Sequence, residues 1–232
     1  MSRPCIPHPQ LVRFKYPLPH LARALKSQRK IRIVAIGSSS TAGEGDIVPY
    51  PSRLQMALRK TFSDRMIDVL NRGIGGQEAP SELSRFESDV RAEAPTLVIW
   101  QVGTNAVFRK EEFDLGGVSA SIATGLGWLR DLAADVVLMD LQYAPAIVGP
   151  DRIKFSEEMV LRIADVADKA NVDVFRRFAL MKRWTVDDGV PLQDMIDPTD
   201  PENLHQSEWS TMCVTQALAQ AIAEAVPSPM MA

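Results

Sequence analysis

The sequence predicts an α/β domain built on a mainly parallel, five-stranded sheet with helices on both faces. Three observations predict it: five short apolar runs punctuate the chain, helical patterns separate them, and 232 residues suit one large domain of this kind. Parallel strands need long crossovers, and alternating helices supply them.

The N-terminal stretch MSRPCIPHPQLVRFKYPLPH is interrupted by Pro4, Pro7, Pro9, Pro17 and Pro19. About residues 1–30 are expected to form an extension strapped across the outside of a single domain spanning 31–232. The stretch has no apolar core of the secretory type, so as written the chain is expected to be cytoplasmic. A sequence beginning after a removed signal would instead be periplasmic or secreted. The first run, residues 31–36, is continuous: Ile31, Ile33, Val34 and Ile36 read as a strand buried on both faces. A helical pattern then starts near Tyr50, with Leu54, Ala57 and Leu58 on one side. The second run is IDVL at 67–70, followed by a helix from Pro80 carrying Leu83, Phe86 and Val90. The third run, TLVIWQV, occupies 96–102, and a helix is expected near 117–133. The fourth run is 135–140, with a helix near 156–169. The fifth is 172–175, and a last helix is expected over 207–225.

Composition narrows the function classes. The chain is 46% hydrophobic and 24% charged, with a formal net charge of −3. That balance has no basic footprint for nucleic acid. The cluster Lys26, Arg29, Lys30 and Arg32 reads as a solvated entry to the first strand. No apolar run approaches the roughly 18 residues of a membrane span, so no membrane partner is expected. Cys5 and Cys213 make no metal-ligand or redox pattern, and Cys213 is expected to pack as an apolar residue on the last helix.

The residues that carry chemistry fall at strand ends, where open α/β sheets place their ligands. The first strand runs into GSSSTAG, a small-residue turn with Ser38, Ser39 and Ser40 exposed past Gly37. A serine there serves as a nucleophile only with a base and an oxyanion site nearby, and otherwise merely caps the next helix. The second strand runs into NRGIGGQ, whose glycines let the backbone aim an N–H at a ligand or simply make a tight turn. The third runs into GTN, where Asn105 either donates into the cleft or caps the turn. Of three histidines, His8 and His20 lie in the strap, which leaves His205, in DPTDPENLHQSEW, as the available general base. Glu202, three residues earlier, shares a face with it in a turn and can reach the imidazole Nδ1.

Taken in order, GSSSTAG, NRGIGG, GTN and ENLH resemble the four blocks of the SGNH, or GDSL-type, hydrolases. The resemblance spans residues 37–205. It implies a flavodoxin-like three-layer α/β/α sandwich and ester or thioester hydrolysis without cofactor or metal. It places the nucleophile at Ser39, the base at His205, and an oxyanion hole at the Ser39 N–H, the Gly76 N–H and the Asn105 amide. Ser38 stands where the pattern has aspartate. Glu202 stands where the family has an aspartate three residues before the histidine, so Glu202 is the expected partner of His205. Asp200 is the alternative if Pro201 bends the loop, and a Ser–His dyad oriented by a backbone carbonyl is a third.

The expectation is therefore a serine esterase for short acyl groups, acetyl above all, carried on a small molecule or a saccharide. Deacetylation of carbohydrates recurs in the family, and no long apolar lid is visible. VGTNAVFRKEEF and LQYAP, with Gln142 and Tyr143, are candidate cleft walls, and Trp184 and Trp209 are candidate platforms. The competing readings are a thioesterase or lysophospholipase acting on longer chains, and a non-catalytic binding module that cradles phosphate at the serine turn.

Overall fold

The first apolar run becomes β1 (Lys30–Gly37), an interior strand of the sheet. Ile31, Ile33, Val34, Ala35 and Ile36 are all fully covered, as a strand with helices on both sides requires. The computed structural model describes residues 3–226. β2 (Met66–Gly73) pairs in parallel along one edge of β1, from Lys30 opposite Met66 to Gly37 opposite Gly73. β3 (Leu97–Gln101) pairs along the other edge, followed by β4 (Asp135–Met139) and β5 (Asp173–Phe175). The order is β2-β1-β3-β4-β5 and every pairing is parallel. This is the flavodoxin-like order, in which the strand order reverses between β1 and β3. All five expected strands are present at the expected places.

Helices fill the crossovers. α1 (Pro9–Val12) and α2 (Pro19–Ser27) precede β1. α3 (Ser39–Ala42) is a single turn after it, and α4 (Tyr50–Thr61) leads to β2. α5 (Ala79–Leu83), α6 (Phe86–Asp89) and a 3₁₀ turn lie before β3. α7 (Thr104–Phe108) and α8 (Leu115–Leu129) lie before β4. α9 (Pro145–Val148) and α10 (Ile153–Ala170) lie before β5, and α11 (Arg177–Val186) and α12 (Glu208–Ala225) close the chain. Two apolar layers result. Ile31, Ile33 and Ile67 face Leu54, Leu58, Trp184, Val214 and Ile222, from α4, α11 and α12. Val34, Ile36 and Trp100 face Phe86, Ile122, Leu126, Met159 and Ile163, from α6, α8 and α10.

Three elements differ from expectation. The helix from Pro80 breaks after Leu83. Arg85 leaves helical geometry and turns its guanidinium onto Arg72 O at 2.6 Å, Gly37 O at 3.2 Å and Gln77 Oε1 at 2.7 Å. α11 lies outside the expected helices: Phe178, Leu180, Met181 and Trp184 share a buried face, but Arg177 sits on that same face and Val186 on the exposed one, which blurs the apolar pattern. α2 arises inside the proline-rich segment, where Pro19 occupies the first helical position and costs no hydrogen bond. Its Leu21, Ala22, Ala24 and Leu25 are buried. Asp135 accepts from the His20 and Leu21 N–H groups, and Asp173 from those of Lys15 and Tyr16, which ties the segment to the starts of β4 and β5.

The cysteines require a correction. Cys213 is buried on α12 as expected, but it is bonded to Cys5 in a disulfide across 208 positions of sequence. The segment before α1 runs back over α11 and α12, where Trp184 Nε1 donates to Ile6 O and Trp209 Nε1 to Arg3 O, each at 2.9 Å. No spacing rule in the sequence reveals that approach. No helix among the described residues is long and apolar enough to cross a membrane.

A cross-link closing a loop of 208 residues stabilises by roughly 5 kcal/mol in the chain-entropy limit. The double variant C5S/C213S is expected to melt roughly 5–15 °C below the parent in thermal unfolding. An unchanged melting temperature would show that the strap holds without the bond.

Candidate active site

β1 delivers Ser39 to the C-terminal edge of the sheet. Ser38 is the extended residue before α3, and Ser39 is the first residue of that helical turn, so the Ser39 N–H has no intrahelical acceptor. The turn is tied down from neighbouring strands. Gln101 Oε1, at the end of β3, accepts from Ser38 N at 3.0 Å and Ser38 Oγ at 2.9 Å. Asn71, near the end of β2, donates to Ala42 O at 3.1 Å and accepts from Gly73 N at 2.9 Å. Gly73 must be glycine, because a Cβ there would stand 2.1 Å from the Ala42 nitrogen.

His205 reaches the same point from the loop before α12. Its Nε2 lies 3.0 Å from Ser39 Oγ. Its Nδ1 lies 3.1 Å from Asp200 Oδ2, so the partner at that nitrogen is Asp200 and not the expected Glu202. The loop geometry explains the exchange. Asp200 Oδ1 accepts the Glu202 N–H at 3.0 Å, and its Oδ2 accepts those of Leu204 and His205 at 2.7 Å each. These bonds wrap residues 200–205 around the carboxylate and swing the Glu202 side chain to the exposed side. The Asp200 side chain is 7% exposed and that of His205 16%. Burial opposes the charge on Asp200, but the N–H donors of His205, Leu204 and Glu202, with the imidazole, outweigh it and hold the carboxyl below its ordinary range.

The other two blocks converge on the same cleft. Gly76 has φ +77°, a left-handed geometry that suits glycine, and its N–H makes no hydrogen bond within the described residues. Asn105, 3% exposed on α7, donates one amide hydrogen to Gln77 O at 2.8 Å, and its second amide hydrogen remains available. Ser39, Gly76, Asn105 and His205 line one cavity of about 460 Å³ together with Glu44, Gln77, Phe108, Arg109 and Glu202. A recess of about 30 Å³ is also bordered by Ser39 and His205, together with Ser40, Ile47, Pro49, Gln206 and Thr211.

The candidate walls divide. Phe108 and Arg109 line the cleft, with the Arg109 guanidinium against Gly76. Gln142 is fully buried beneath it, where its Oε1 accepts from Ser40 Oγ at 3.2 Å and Thr104 Oγ1 at 2.9 Å. Tyr143 packs edge-on against Phe178. Trp184 and Trp209 pack on each other, 5.2 Å apart, and hold the N-terminal segment.

Two residues with a part in the arrangement had no local signal. Buried Arg177 donates to Asp140 O at 3.1 and 2.8 Å and to Gln206 Oε1 at 3.3 Å, joining the end of β4 to the residue after His205. Buried Glu78 accepts from the turn that carries Asn105. Asp200, Glu202 and His205 each bring a potential metal-ligand atom within 4.8 Å of the others. Both oxygens of Asp200 are already taken by N–H donors, which favours a hydrogen-bonded relay over a metal site.

Comparison with known proteins supplies a frame. The profile of the Non-GDSL lipase-like family matches residues 4–228. Over 75 residues the chain is 37% identical to the uncharacterized lipoprotein YqeF of Bacillus subtilis (strain 168); the alignment covers 32% of this chain and 31% of that protein. The match thus spans less than a third of the lipoprotein's length. Axe2, an acetylxylan esterase from Geobacillus stearothermophilus, superposes with a TM-score of 0.70 at 20% identity, over 83% of this chain and 94% of its own. LAE5, an alpha/beta hydrolase enzyme from the metagenome of Lake Arreo, Spain, gives a TM-score of 0.70 at 16% identity, over 85% and 97%. At these identities the likeness is one of fold.

The low-lying Asp200 carboxyl sets the sign of a stability test. It binds fewer protons folded than unfolded in mild acid, so its contribution is present above the unfolded aspartate value of about 3.9 and is lost as pH falls through the lower folded value. D200N is expected to melt below the parent at neutral pH, with the gap closing below about pH 4. E202Q should match the parent throughout. A D200N deficit that persisted undiminished into strong acid would contradict the ionised role.

Proposed function

The chain belongs to the Non-GDSL lipase-like family, and from that premise we propose that it is a serine esterase of SGNH type acting on short acyl esters, acetyl esters of carbohydrates in particular. The observation that carries the reading is the line from Asp200 to His205 to Ser39, with contacts of 3.1 and 3.0 Å, at the mouth of a polar cleft.

In this reading Ser39 Oγ attacks the ester carbonyl carbon as its proton passes to His205 Nε2. Asp200 orients the ring through Nδ1–H and stabilises the imidazolium. The oxyanion accepts hydrogen bonds from the N–H groups of Ser39 and Gly76 and from the free amide hydrogen of Asn105. The carbonyl then reforms, the bond to the alcohol oxygen breaks, and His205 Nε2 returns its proton to that oxygen. Water attacks the acyl-enzyme with His205 again as base, releasing the acid and restoring Ser39. No metal or cofactor takes part. Asp200 replaces Glu202 as the acid of the triad.

The substrate class rests on the two cavities. The larger one carries Glu44, Gln77, Arg109 and Glu202, side chains that suit a hydroxyl-rich alcohol rather than a lipid tail. The recess of about 30 Å³ is of methyl-group size. The fold likeness to an acetylxylan esterase agrees with this choice. The Cys5–Cys213 disulfide supports an oxidising compartment in place of the cytoplasm expected from the chain as written.

Hydrolysis of p-nitrophenyl esters and acetylated xylo-oligosaccharides tests the reading. kcat/KM should fall steeply from acetate to octanoate, and S39A should abolish turnover with its melting temperature retained. A maximum at octanoate would favour the thioesterase or lysophospholipase alternative, and an active S39A would remove the serine mechanism. D200N should lose on the order of 10²–10⁴ in kcat, with E202Q within a few-fold of the parent. The reverse ranking would return the acid's role to Glu202. EDTA should leave the rate unchanged; a loss that zinc restores would assign Asp200, Glu202 and His205 to a metal.

A further inference from the structure

Glu78 is a carboxylate with no part in the steps above, yet it is 1% exposed and forms no ion pair within the described residues. Its two oxygens are nonetheless fully used. Oε1 accepts from Gly103 N at 2.8 Å and Ala79 N at 3.0 Å, and Oε2 accepts from Ala106 N at 3.0 Å. Gly103 and Ala106 bracket Asn105, so the carboxylate holds the turn that carries the oxyanion amide. The preceding residue acts on the same target, because Gln77 O accepts the Asn105 Nδ2 hydrogen at 2.8 Å. Gly76, Gln77 and Glu78 are consecutive. One short segment thus supplies an oxyanion N–H, orients the Asn105 side chain and anchors the Asn105 backbone.

We propose that Glu78 is a positioning residue for the oxyanion hole, clamping the Gly103–Ala106 turn to the Gly76–Gln77 segment so that Gly76 N–H and Asn105 Nδ2 converge on one oxygen. The inference rests on the esterase reading. A carboxylate suits the task because it is acceptor-only and meets three donors on two oxygens. A glutamine of the same shape would turn an NH₂ group towards one of those N–H donors.

Glu82, one helical turn on and fully buried, completes the arrangement. Its Oε2 accepts from Trp100 Nε1 at 2.6 Å, and its Oε1 has no partner. Burial and then the charge of Glu78 push the Glu82 carboxyl well above its ordinary range. Burial also raises Glu78, against the N–H groups of Gly103, Ala79, Ala106 and Asn105. The neighbours differ in what they hold: Glu78 gathers backbone N–H donors on both oxygens, whereas Glu82 receives only the Trp100 indole N–H.

The test is a double-mutant cycle on the full chain with p-nitrophenyl acetate, using E78Q, N105A, the double variant and E82Q. N105A should lose roughly 10²–10³ in kcat. E78Q should lose roughly 10–100-fold in kcat with KM within about threefold, because the clamp acts on the transition state. The double variant should be no more than about threefold slower than N105A, since a residue acting through Asn105 has nothing left to position. E82Q should keep kcat within about threefold of the parent and should not couple to N105A. E78D retains the charge, and it takes the place of E78Q in the cycle if the glutamine variant does not fold. Losses that multiply in the double variant, or an E78Q deficit that equals its unfolded fraction, would overturn the inference while leaving the esterase intact. N105A with the parent's kcat would overturn the oxyanion reading and this inference with it.

Discussion

The parallel pairing of β1 with β2 on one side and β3 on the other carries the rest of the site. Parallel strands send their C-terminal ends to one edge, so Gly37, Gly73 and Gln101 finish side by side. Each then releases a short loop, and the three loops have only a few ångströms in which to arrange themselves. Asn71 bonds across to Ala42, Gln101 to Ser38, and Gly73 gives way to the Ala42 backbone. The reversal of strand order between β1 and β3 opens the crevice that the loops line. Ser39 borders that crevice because β1 ends there, although the residue is only 7% exposed.

A second constraint is electrostatic. Glu78, Glu82, Asp140 and Arg177 all lie buried near the strand ends, where a lone charge is costly to desolvate. Backbone groups offset most of that cost. Phe178 N donates to Asp140 at 2.9 Å, Arg177 donates twice to the Asp140 carbonyl, and Glu78 gathers the donors of the β3–α7 turn. Such arrangements contribute little net stability compared with apolar packing, but they restrict the geometry of the loops they hold. Asp200 follows the same pattern at the surface, where its carboxylate organises the loop that presents His205.

The N-terminal segment is held by a different set of forces. Its prolines rule out a long helix, yet Val12, Phe14, Leu18 and Leu21 enter the main apolar layer. Two strand-start aspartates, two tryptophan N–H groups and the Cys5–Cys213 bond fix it over α11, α12 and the lower rim of the sheet. α12 therefore joins the site to the strap: it begins three residues after His205 and carries Cys213.

The sequence by itself determined the five strands, their alternation with helices and the placing of Ser39, Gly76, Asn105 and His205 at strand or helix ends. These are local properties, carried by continuous apolar runs, glycines at turns and a scarcity of histidine. Tertiary structure decided what depends on approach between distant segments. Glu202 holds the right spacing from His205, but the donors of residues 202–205 fold around Asp200, and a count along the chain cannot register that. Cys5 and Cys213 are paired by the path of the strap. α11 does not announce itself because buried Arg177 interrupts its apolar face and Val186 stands on the exposed one. Glu78 reads as an ordinary polar residue of a glycine-rich turn until the sheet brings Gly103 and Ala106 to its carboxylate. Periodicity and turn chemistry are written in neighbouring residues, whereas the partner of a buried polar group is set by whichever element the fold brings against it.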